Sequence, residues 1–239
     1  MIGIICALEE ELNEIKKIIH NIKISKINNF EFITGLLNNI ECVLVLSGVG
    51  KVHAAISCQT MILKFNPDLI LNIGVAGSLT HELDIGDIVI ATGAIQHDFD
   101  VSAFPNRQKG EISGLNKILI ECTPWIINIL FNISEPNCGF KVNKSIILTG
   151  DQFISQKEDK IKLQKEFGGT ICDMEAGSIA QTCYINNTDF GIIRAVSDSL
   201  NNNSVCEFKE FVNISSKNCA KIFDKFTDIL NKNQNGDYI

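Results

Sequence analysis

The stretch Ile192-Ile193-Arg194-Ala195-Val196-Ser197-Asp198-Ser199 is an apolar run that ends in an acid. A run of this kind predicts a central strand of a sheet. In α/β proteins, ligands bind beyond the carboxyl ends of such strands. Asp198 stands where the strand should stop, with Ser197 beside it and Arg194 inside the run. The stretch therefore predicts an α/β sheet whose edge presents a carboxyl group that can act as a general acid.

Short apolar runs alternate with amphipathic segments along the rest of the chain. Strands are predicted at Ile2–Leu8, Glu31–Leu36, Glu41–Leu46, Leu69–Ile73, Ile88–Ala94, Ser145–Leu148, Ile171–Cys172 and Phe190–Val196. Helices are predicted at Glu9–His20, Val52–Phe65, Lys157–Phe167, Met174–Asn186 and Phe208–Asn231, and within Leu115–Phe131 from Pro124 onward. This alternation predicts one α/β domain over residues 1–232, with a central mixed, mostly parallel sheet flanked by helices. Residues 233–239 are expected to form a frayed tail.

Length and charge narrow the classes of function. The chain has 239 residues, 45% of them hydrophobic, which is enough for a sizeable core. A net charge of −7 and the lack of a Lys/Arg cluster argue against nucleic acid as a partner. No apolar stretch reaches membrane-spanning length, and the N-terminal segment has no basic lead-in of a signal peptide. We therefore expect no membrane partner and a cytoplasmic location.

Cysteine and histidine give little sign of metal or thiol chemistry. The nine cysteines are odd in number, form no Cys-x-x-Cys pair and lie largely in apolar runs, which predicts reduced core residues. A thiolate nucleophile or a zinc site is the alternative, with little support. The four histidines lack metal-ligand spacing. No metal and no cofactor are expected.

Two glycine-rich segments follow predicted strands. Ser47-Gly48-Val49-Gly50-Lys51 is not a phosphate loop, because Val52 follows the lysine and because His53 takes the place of the third glycine of a dinucleotide fingerprint. A tight strand-to-helix turn is the simpler interpretation. Asn72-Ile73-Gly74-Val75-Ala76-Gly77-Ser78 is interpreted as a second turn whose small residues let a ligand approach the backbone. Together the two turns favour a pocket.

Acids open two of the predicted helices. The helix dipole alone favours Glu9-Glu10-Glu11 in a first turn, yet one of the three side chains can face the end of the first strand as a general base. Glu175 is open to the same two interpretations, although Met174 beside it would suit a sugar lying on the thioether. Phe153 is either a core residue or a platform for a ligand.

These segments, in this order, resemble the 5′-methylthioadenosine/S-adenosylhomocysteine nucleosidases of the purine nucleoside phosphorylase superfamily. The resemblance runs from Ile2 to the closing helix. It is carried jointly by Ala7-Leu8-Glu9-Glu10-Glu11, Ser47-Gly48-Val49-Gly50-Lys51, His97-Asp98-Phe99-Asp100-Val101, Ser145-Ile146-Ile147-Leu148-Thr149-Gly150-Asp151, Asp173-Met174-Glu175-Ala176 and Arg194-Ala195-Val196-Ser197-Asp198.

The resemblance implies a nucleoside phosphorylase-like fold, a homodimer and a reaction. The reaction is hydrolysis of the N-glycosidic bond of 5′-methylthioadenosine and S-adenosylhomocysteine, and also of 5′-deoxyadenosine, which releases adenine and the 5-substituted ribose. Asp198, with Ser197 nearby, would protonate adenine N7. Glu11 would activate water, which Arg194 would help to place.

The resemblance also implies how substrate is held. Glu175 would bind the ribose hydroxyls, and Met174 would underlie the sugar. Phe153 would stack on adenine, while the backbone of Ile154 reads the edge of the base. The residues implied to line the 5′-substituent pocket are Leu8, Val49 and Phe208. The residues implied to reach into the partner subunit's site are Val101 and Phe104.

Two departures from the family pattern bear on affinity and on 5′-substituent preference rather than on the reaction. Val75, a residue near the sugar, stands where some relatives have serine. Phe104-Pro105-Asn106-Arg107 replaces a stretch in which an aromatic residue is expected shortly after Phe104.

Two other functions stay open at this point. A phosphorylase on the same fold would need a cationic phosphate pocket and a Gly-Asp-Pro-x-Arg-like segment, where this chain has three glutamates that include Glu11. A nucleoside-binding relative without catalysis is disfavoured by the intact Glu11, Glu175 and Asp198, although Val75 leaves room for it. Deoxyfutalosine-type nucleosides also remain possible substrates.

Overall fold

The computed structural model describes residues 1–133, 140–200 and 204–234, which form ten strands and six helices. The strands are β1 (Ile2–Cys6), β2 (His20–Ile27), β3 (Phe30–Leu37), β4 (Ile40–Leu46), β5 (Leu69–Ser78), β6 (Ile88–Gln96), β7 (Leu119–Glu121), β8 (Val142–Thr149), β9 (Ile171–Asp173) and β10 (Asp189–Asp198). The helices are α1 (Glu9–Lys16), α2 (Lys51–Phe65), α3 (Pro124–Asn132), α4 (Lys157–Phe167), α5 (Ala176–Asn186) and α6 (Ser204–Gln234).

The strands form one mixed sheet that closes on itself at one end. β10 pairs with β5 and β6, β6 with β8, β8 with β9, and β9 returns to β5, which makes a ring of five strands. On the other side of β5 the sheet continues through β1, β4, β3 and β2. The predicted α/β class with a central mixed sheet is confirmed. Among the described strands, five pairings are parallel and five antiparallel.

Helices cover both faces of the sheet because the strands are apolar on both faces. In β1, Ile4 belongs to the core cluster that includes residues of α1, α3 and α6, whereas its neighbour Ile5 belongs to the cluster that includes residues of α2 and α5. Successive side chains of a strand point to opposite faces, so one short apolar run supplies both cores. Parallel pairing joins β4, β1, β5 and β10 in this order, so these strands end together at one buried edge.

Most predicted elements are present, and the departures have physical causes. The predicted helix over Glu9–His20 ends at Lys16. The strand that follows, β2, was missed although Ile22-Lys23-Ile24-Ser25 alternates apolar and polar residues; seven of its eight residues are exposed. β7 was missed because it has only three residues. α3 begins at Pro124 as predicted.

The interpretation of residues 72–78 as a turn is wrong. β5 continues through Gly74 and Gly77 to Ser78, because its backbone stays paired with β10 along this segment. The small residues of this segment let neighbouring side chains pack closely against the strand, and they do not turn the chain.

At the C-terminus, α6 begins at Ser204, earlier than predicted, and runs to Gln234. The first two residues of the predicted tail are therefore helical, and 235–239 lie outside the described residues. No helix of the described segments is long and apolar enough to cross a membrane.

Candidate active site

A cavity of about 380 Å³ lies at the carboxyl ends of β1, β5, β9 and β10. The predicted site residues that line it are Leu8, Glu11, Val49, Val75, Phe153, Met174, Glu175, Ser197, Asp198 and Phe208. The other residues that line it are Ala7, Ala76, Gly77, Cys172, Asp173, Val205 and Lys209. Residues that are far apart in sequence thus meet at one edge of the sheet.

Asp198 is the last residue of β10 and is buried. Its Oδ1 lies 3.0 Å from the hydroxyl of Ser197, which also lies 3.3 Å from the carbonyl oxygen of Ala76. Its Oδ2 accepts a hydrogen bond of 2.6 Å from the ammonium of Lys160 on α4. The predicted acid is therefore held at both oxygens.

Glu11 reaches the cavity from the first turn of α1. Its Oε2 accepts hydrogen bonds from the backbone N–H groups of Ala7 (2.8 Å) and Leu8 (3.0 Å), and its Oε1 accepts one from Val75 (2.9 Å). Burial raises the pKa of the Glu11 carboxyl above its usual range, although the charge of Arg194 and these three donors act in the opposite direction. Of the three glutamates in this turn, Glu11 is the buried one, whereas Glu9 and Glu10 are not.

Two glycines of β5 give these carboxyl groups their positions. A Cβ atom on Gly74 would collide with the carboxyl group of Glu11, and one on Gly77 would lie 3.0 Å from Oδ2 of Asp198. Three residues of extended strand span roughly 10 Å. The two acids therefore meet the same strand at points roughly 10 Å apart.

Arg194 does not line the cavity but lies behind it, almost completely buried. Its guanidinium donates to Asp173 Oδ2 at 2.6 Å, to the carbonyl oxygen of Asn72 at 3.2 Å and to the side-chain oxygen of Asn72. Its Nε is buried and has no hydrogen-bond partner among the described residues. One N–H group of a fixed cation thus stays available near Glu11.

Glu175 precedes α5 and accepts a hydrogen bond of 2.9 Å from the backbone N–H of Gly50. Gly50 has φ of +100°, a conformation that glycine adopts without strain, and it is the residue from which α2 begins. Burial raises the pKa of the Glu175 carboxyl to about 8, and the negative charge of Asp173 acts in the same direction. The glycine-rich turn after β4 therefore places the backbone N–H of Gly50 within hydrogen-bond distance of the Glu175 carboxyl group.

Aromatic and apolar side chains form the open end of the cavity. The rings of Phe153 and Phe208 meet edge to face, with centroids 5.8 Å apart. Ile154, predicted to read the base through its backbone, does not line the cavity, and its side chain packs beside α4 and β8. Val101 and Phe104 lie outside this chain's own cavity, and Phe104 is 67% exposed.

Sequence reasoning missed Lys160 and the partners of Arg194. Lys160 is fully buried and shares the inner face of α4 with Leu163. A lysine three residues before a buried leucine, on the apolar side of an amphipathic helix, is the signal that could have found it. Asp173 and Asn72 gave no comparable signal, because their importance depends on pairing across the sheet.

Thiol and metal chemistry find no support here. Cys172 lines the cavity, but burial raises the pKa of its thiol to about 12, which keeps it protonated. The eight cysteines of the described residues are free. Within the described ranges, no group of three or more His, Cys, Asp or Glu side chains is arranged to hold a metal ion.

The chain belongs to the phosphorylase superfamily. Residues 1–228 match the family model described as phosphorylase superfamily. Within it, the chain belongs to the family of 5′-methylthioadenosine/S-adenosylhomocysteine nucleosidases, and the predicted resemblance is confirmed.

Three similar proteins illustrate this membership. The nucleosidase of this name from Buchnera aphidicola subsp. Baizongia pistaciae is 37% identical over 236 residues, which cover 97% of this chain and 91% of the relative. The structure of the Neisseria meningitidis nucleosidase in complex with methylthio-immucillin-A has a TM-score of 0.91 at 32% identity, over 95% of this chain and 98% of that one. The native structure of futalosine hydrolase from Helicobacter pylori strain 26695 has a TM-score of 0.90 at 30% identity, over 95% and 97%.

The raised pKa of Glu175 predicts a pH-dependent stability. A glutamate in the unfolded chain ionises near pH 4.5, whereas Glu175 in the folded chain ionises at about 8. The folded state therefore loses stability as the pH rises through this window, because the unfolded chain has already released its proton. Glutamine stays neutral, so Glu175→Gln should gain stability over the wild type between pH 5 and pH 8.5, and the difference should shrink toward pH 4. Urea unfolding over this range measures it.

The exposed Glu158 on α4 supplies the matched control for this measurement. Glu158→Gln should follow the wild type at every pH. Equal pH dependence of unfolding in the wild type and in Glu175→Gln would contradict the assigned effect of burial.

Proposed function

We propose that this chain hydrolyses the N-glycosidic bond of 5′-methylthioadenosine and S-adenosylhomocysteine and releases adenine and the 5-substituted ribose. The observation that carries the proposal is the pair of buried carboxyl groups, Glu11 and Asp198, which face one cavity and contact β5 at Gly74 and Gly77. Bond cleavage here passes through an oxocarbenium-like state and needs an acid for the leaving group and a base for water. Two separated carboxyl groups supply both.

Asp198 is the proposed acid. In its protonated form it would donate to N7 of adenine, so that the base leaves as a neutral molecule. The hydroxyl of Ser197 carries one hydrogen and has two acceptors within reach, Asp198 Oδ1 and the carbonyl oxygen of Ala76. It can therefore turn to the carbonyl oxygen when Asp198 carries a proton and back to the carboxylate afterwards.

Glu11 is the proposed base. A pKa raised by burial makes its carboxylate a better proton acceptor than an exposed glutamate, and three backbone donors fix its direction. The unpartnered Nε of Arg194 is the proposed donor that orients the attacking water. Val75 contributes a backbone N–H to Glu11, so the side chain that some relatives have at this position is not needed to hold the base.

Substrate contacts follow from the lining of the cavity. Glu175 and Met174 are the proposed ribose contacts, and a carboxyl group that is largely protonated below pH 8 can donate a hydrogen bond to a hydroxyl as well as accept one. Phe153 and the backbone of Ile154 are the proposed adenine contacts. Leu8, Val49 and Phe208 offer an apolar wall for a methylthio group.

Related substrates and the cellular role belong to the same proposal. 5′-Deoxyadenosine lacks only the thioether and fits the same contacts. The similarity to futalosine hydrolase favours deoxyfutalosine-type nucleosides as a second substrate class. Cleavage of 5′-methylthioadenosine would place the chain in methionine salvage, and the cytoplasmic location predicted from the sequence stays a prediction.

The choice between hydrolysis and phosphorolysis is tested by the products. Free 5-methylthioribose and adenine should form at a rate that does not change with added phosphate, because Glu11 would repel a phosphate anion from the position of the nucleophile. Product analysis by mass spectrometry, with and without phosphate, measures this. Methylthioribose 1-phosphate that scales with phosphate would contradict the proposal.

The acid and base are tested by isosteric variants. Asp198→Asn and Glu11→Gln keep the shape of the side chain but remove proton transfer, so each should lower kcat for adenine release by about 10²–10⁴-fold. Substrate binding, measured by calorimetry, should persist. Gln152→Asn, an exposed change beside the site, is the control and should stay close to the wild type. Near-normal turnover in either variant would remove that residue from its proposed role.

A homodimer is the proposed assembly. One face of α2 exposes Val52 (67%), Ile56 (49%) and Leu63 (72%), residues whose spacing places them on one side of the helix. Phe104 is equally exposed, on a loop that the family resemblance assigns to the partner's site. Apolar side chains clustered in this way are typical of protein interfaces.

Mixed dimers test whether Phe104 acts across the interface. A Phe104→Ala subunit is paired with an Asp198→Asn subunit, so that the only competent active site receives its Phe104 from the Asp198→Asn chain. KM for 5′-methylthioadenosine should then equal that of the wild type, whereas the Phe104→Ala homodimer should show a raised KM. A raised KM in the mixed dimer, or a fully active monomer in sedimentation, would contradict the proposal.

A further inference from the structure

Lys160 is a buried cation in direct contact with the proposed acid. Its ammonium lies 2.6 Å from Asp198 Oδ2, and the side chains of the two residues are 0% and 3% exposed. A second hydrogen bond of 2.8 Å joins the ammonium to the carbonyl oxygen of Ser199. Lys160 thus holds both the carboxyl group of Asp198 and the backbone that follows it.

Packing alone does not explain a lysine at this position. α4 buries Lys160 and Leu163, and an apolar side chain would fill the same space. A buried ion pair adds little stability over apolar residues of similar volume, since both charges lose their hydration. The specific consequence of lysine at this position is therefore its effect on Asp198.

The segment after Asp198 is fixed from a second side. Glu207 of α6 accepts hydrogen bonds from the backbone N–H of Ser199 (2.8 Å) and from its hydroxyl (3.0 Å). Lys160 and Glu207 therefore hold Ser199 at its carbonyl and at its N–H. This arrangement gives the carboxyl group next to it a fixed direction.

The charges decide where the proton lies before substrate binds. An ammonium at 2.6 Å from a carboxylate favours the charged pair, and one hydrogen of the ammonium then points at Oδ2. A carboxylate cannot protonate a purine, so the proton that Asp198 delivers must first reach it from a neighbour. Ser197 and Lys160 are buried neighbours that carry a proton, and the ammonium of Lys160 is by far the stronger acid of the two.

We propose that Lys160 is a positioning residue that stores the proton of the general acid, an inference that rests on the proposed role of Asp198. In the step, an Nζ–H bond of Lys160 breaks and an O–H bond forms on Asp198, which gives a neutral amine and a neutral carboxylic acid. As the bond between C1′ and N9 breaks, its electron pair passes to the purine, and the carboxyl proton moves to N7. Asp198 is again a carboxylate, and Lys160 regains a proton from water after adenine leaves.

The test compares two substrates that differ in their need for an acid. 5′-Methylthioadenosine needs protonation of its leaving group, whereas p-nitrophenyl 5-methylthioriboside does not, because p-nitrophenolate leaves as a stable anion. Lys160→Met should lower kcat for 5′-methylthioadenosine by about 10²-fold or more, with KM little changed, and should leave cleavage of the nitrophenyl substrate within a few-fold. Lys162→Met, an exposed change on the same helix, is the control and should affect neither substrate.

A second variant separates proton storage from charge alone. Arginine keeps the positive charge but does not release its proton in proteins. Lys160→Arg should therefore remain slow with 5′-methylthioadenosine and near normal with the nitrophenyl substrate. Recovery of wild-type kcat in Lys160→Arg would overturn proton storage.

The remaining outcomes are also decisive. A Lys160→Met variant that is equally slow with both substrates, or within about three-fold of the wild type with 5′-methylthioadenosine, overturns the inference. Should Lys160→Met not fold, the double variant Lys160→Met/Asp198→Asn leaves no unpaired charge and is compared with Asp198→Asn. Equal rates of adenine release in the two variants support the action of Lys160 through Asp198, and a lower rate in the double variant contradicts it. If Asp198→Asn itself retains wild-type turnover, the proposed role of Asp198 is wrong. This outcome differs from every outcome that contradicts only the inference about Lys160.

Discussion

The site depends on one constraint: more acidic than basic side chains are buried at one edge of the sheet. Four carboxyl groups line the cavity, those of Glu11, Asp173, Glu175 and Asp198, and the buried cations beside them are Arg194 and Lys160. Buried charges are tolerated when they are paired and hydrogen-bonded. Burial raises the pKa of Glu175, and the negative charge of Asp173 acts in the same direction. Because the acids outnumber the cations, the site would suit a ribosyl group that becomes positive as its bond to adenine breaks.

The fold makes this arrangement possible through the central strand β5. Its neighbours β1 and β10 run parallel to it, so the first turn of α1, which follows β1, and the end of β10 bring Glu11 and Asp198 to the same place. Gly74 and Gly77 remove the side chains that would occupy that space. The apolar faces of the strands bury the sheet between helices, and the cavity therefore lies against a rigid core rather than in a mobile loop.

Much of this could be predicted from the sequence where a local pattern carries the information. An apolar run that ends in Asp198 predicts an acid at a strand end, and the proline at the start of α3 marks a helix start. The alternation Ile22-Lys23-Ile24-Ser25 was a signal for β2 that the prediction did not use. The sequence could not reveal the continuation of β5 through Gly74, which depends on pairing with β10. The same applies to Lys160 and Asp173, since their roles arise from contacts with distant residues, Asp198 and Arg194.

The edge-to-face contact of Phe153 with Phe208 affects the thermodynamics of ligand binding. Such a pair contributes about 0.5–1.5 kcal/mol beyond the area that it buries. Each ring shields part of the other, so a planar base that stacked on Phe153, as proposed, would exchange one apolar contact for another. The negative change in heat capacity on binding, which follows newly buried apolar area, would then be smaller than the contact area in the complex implies.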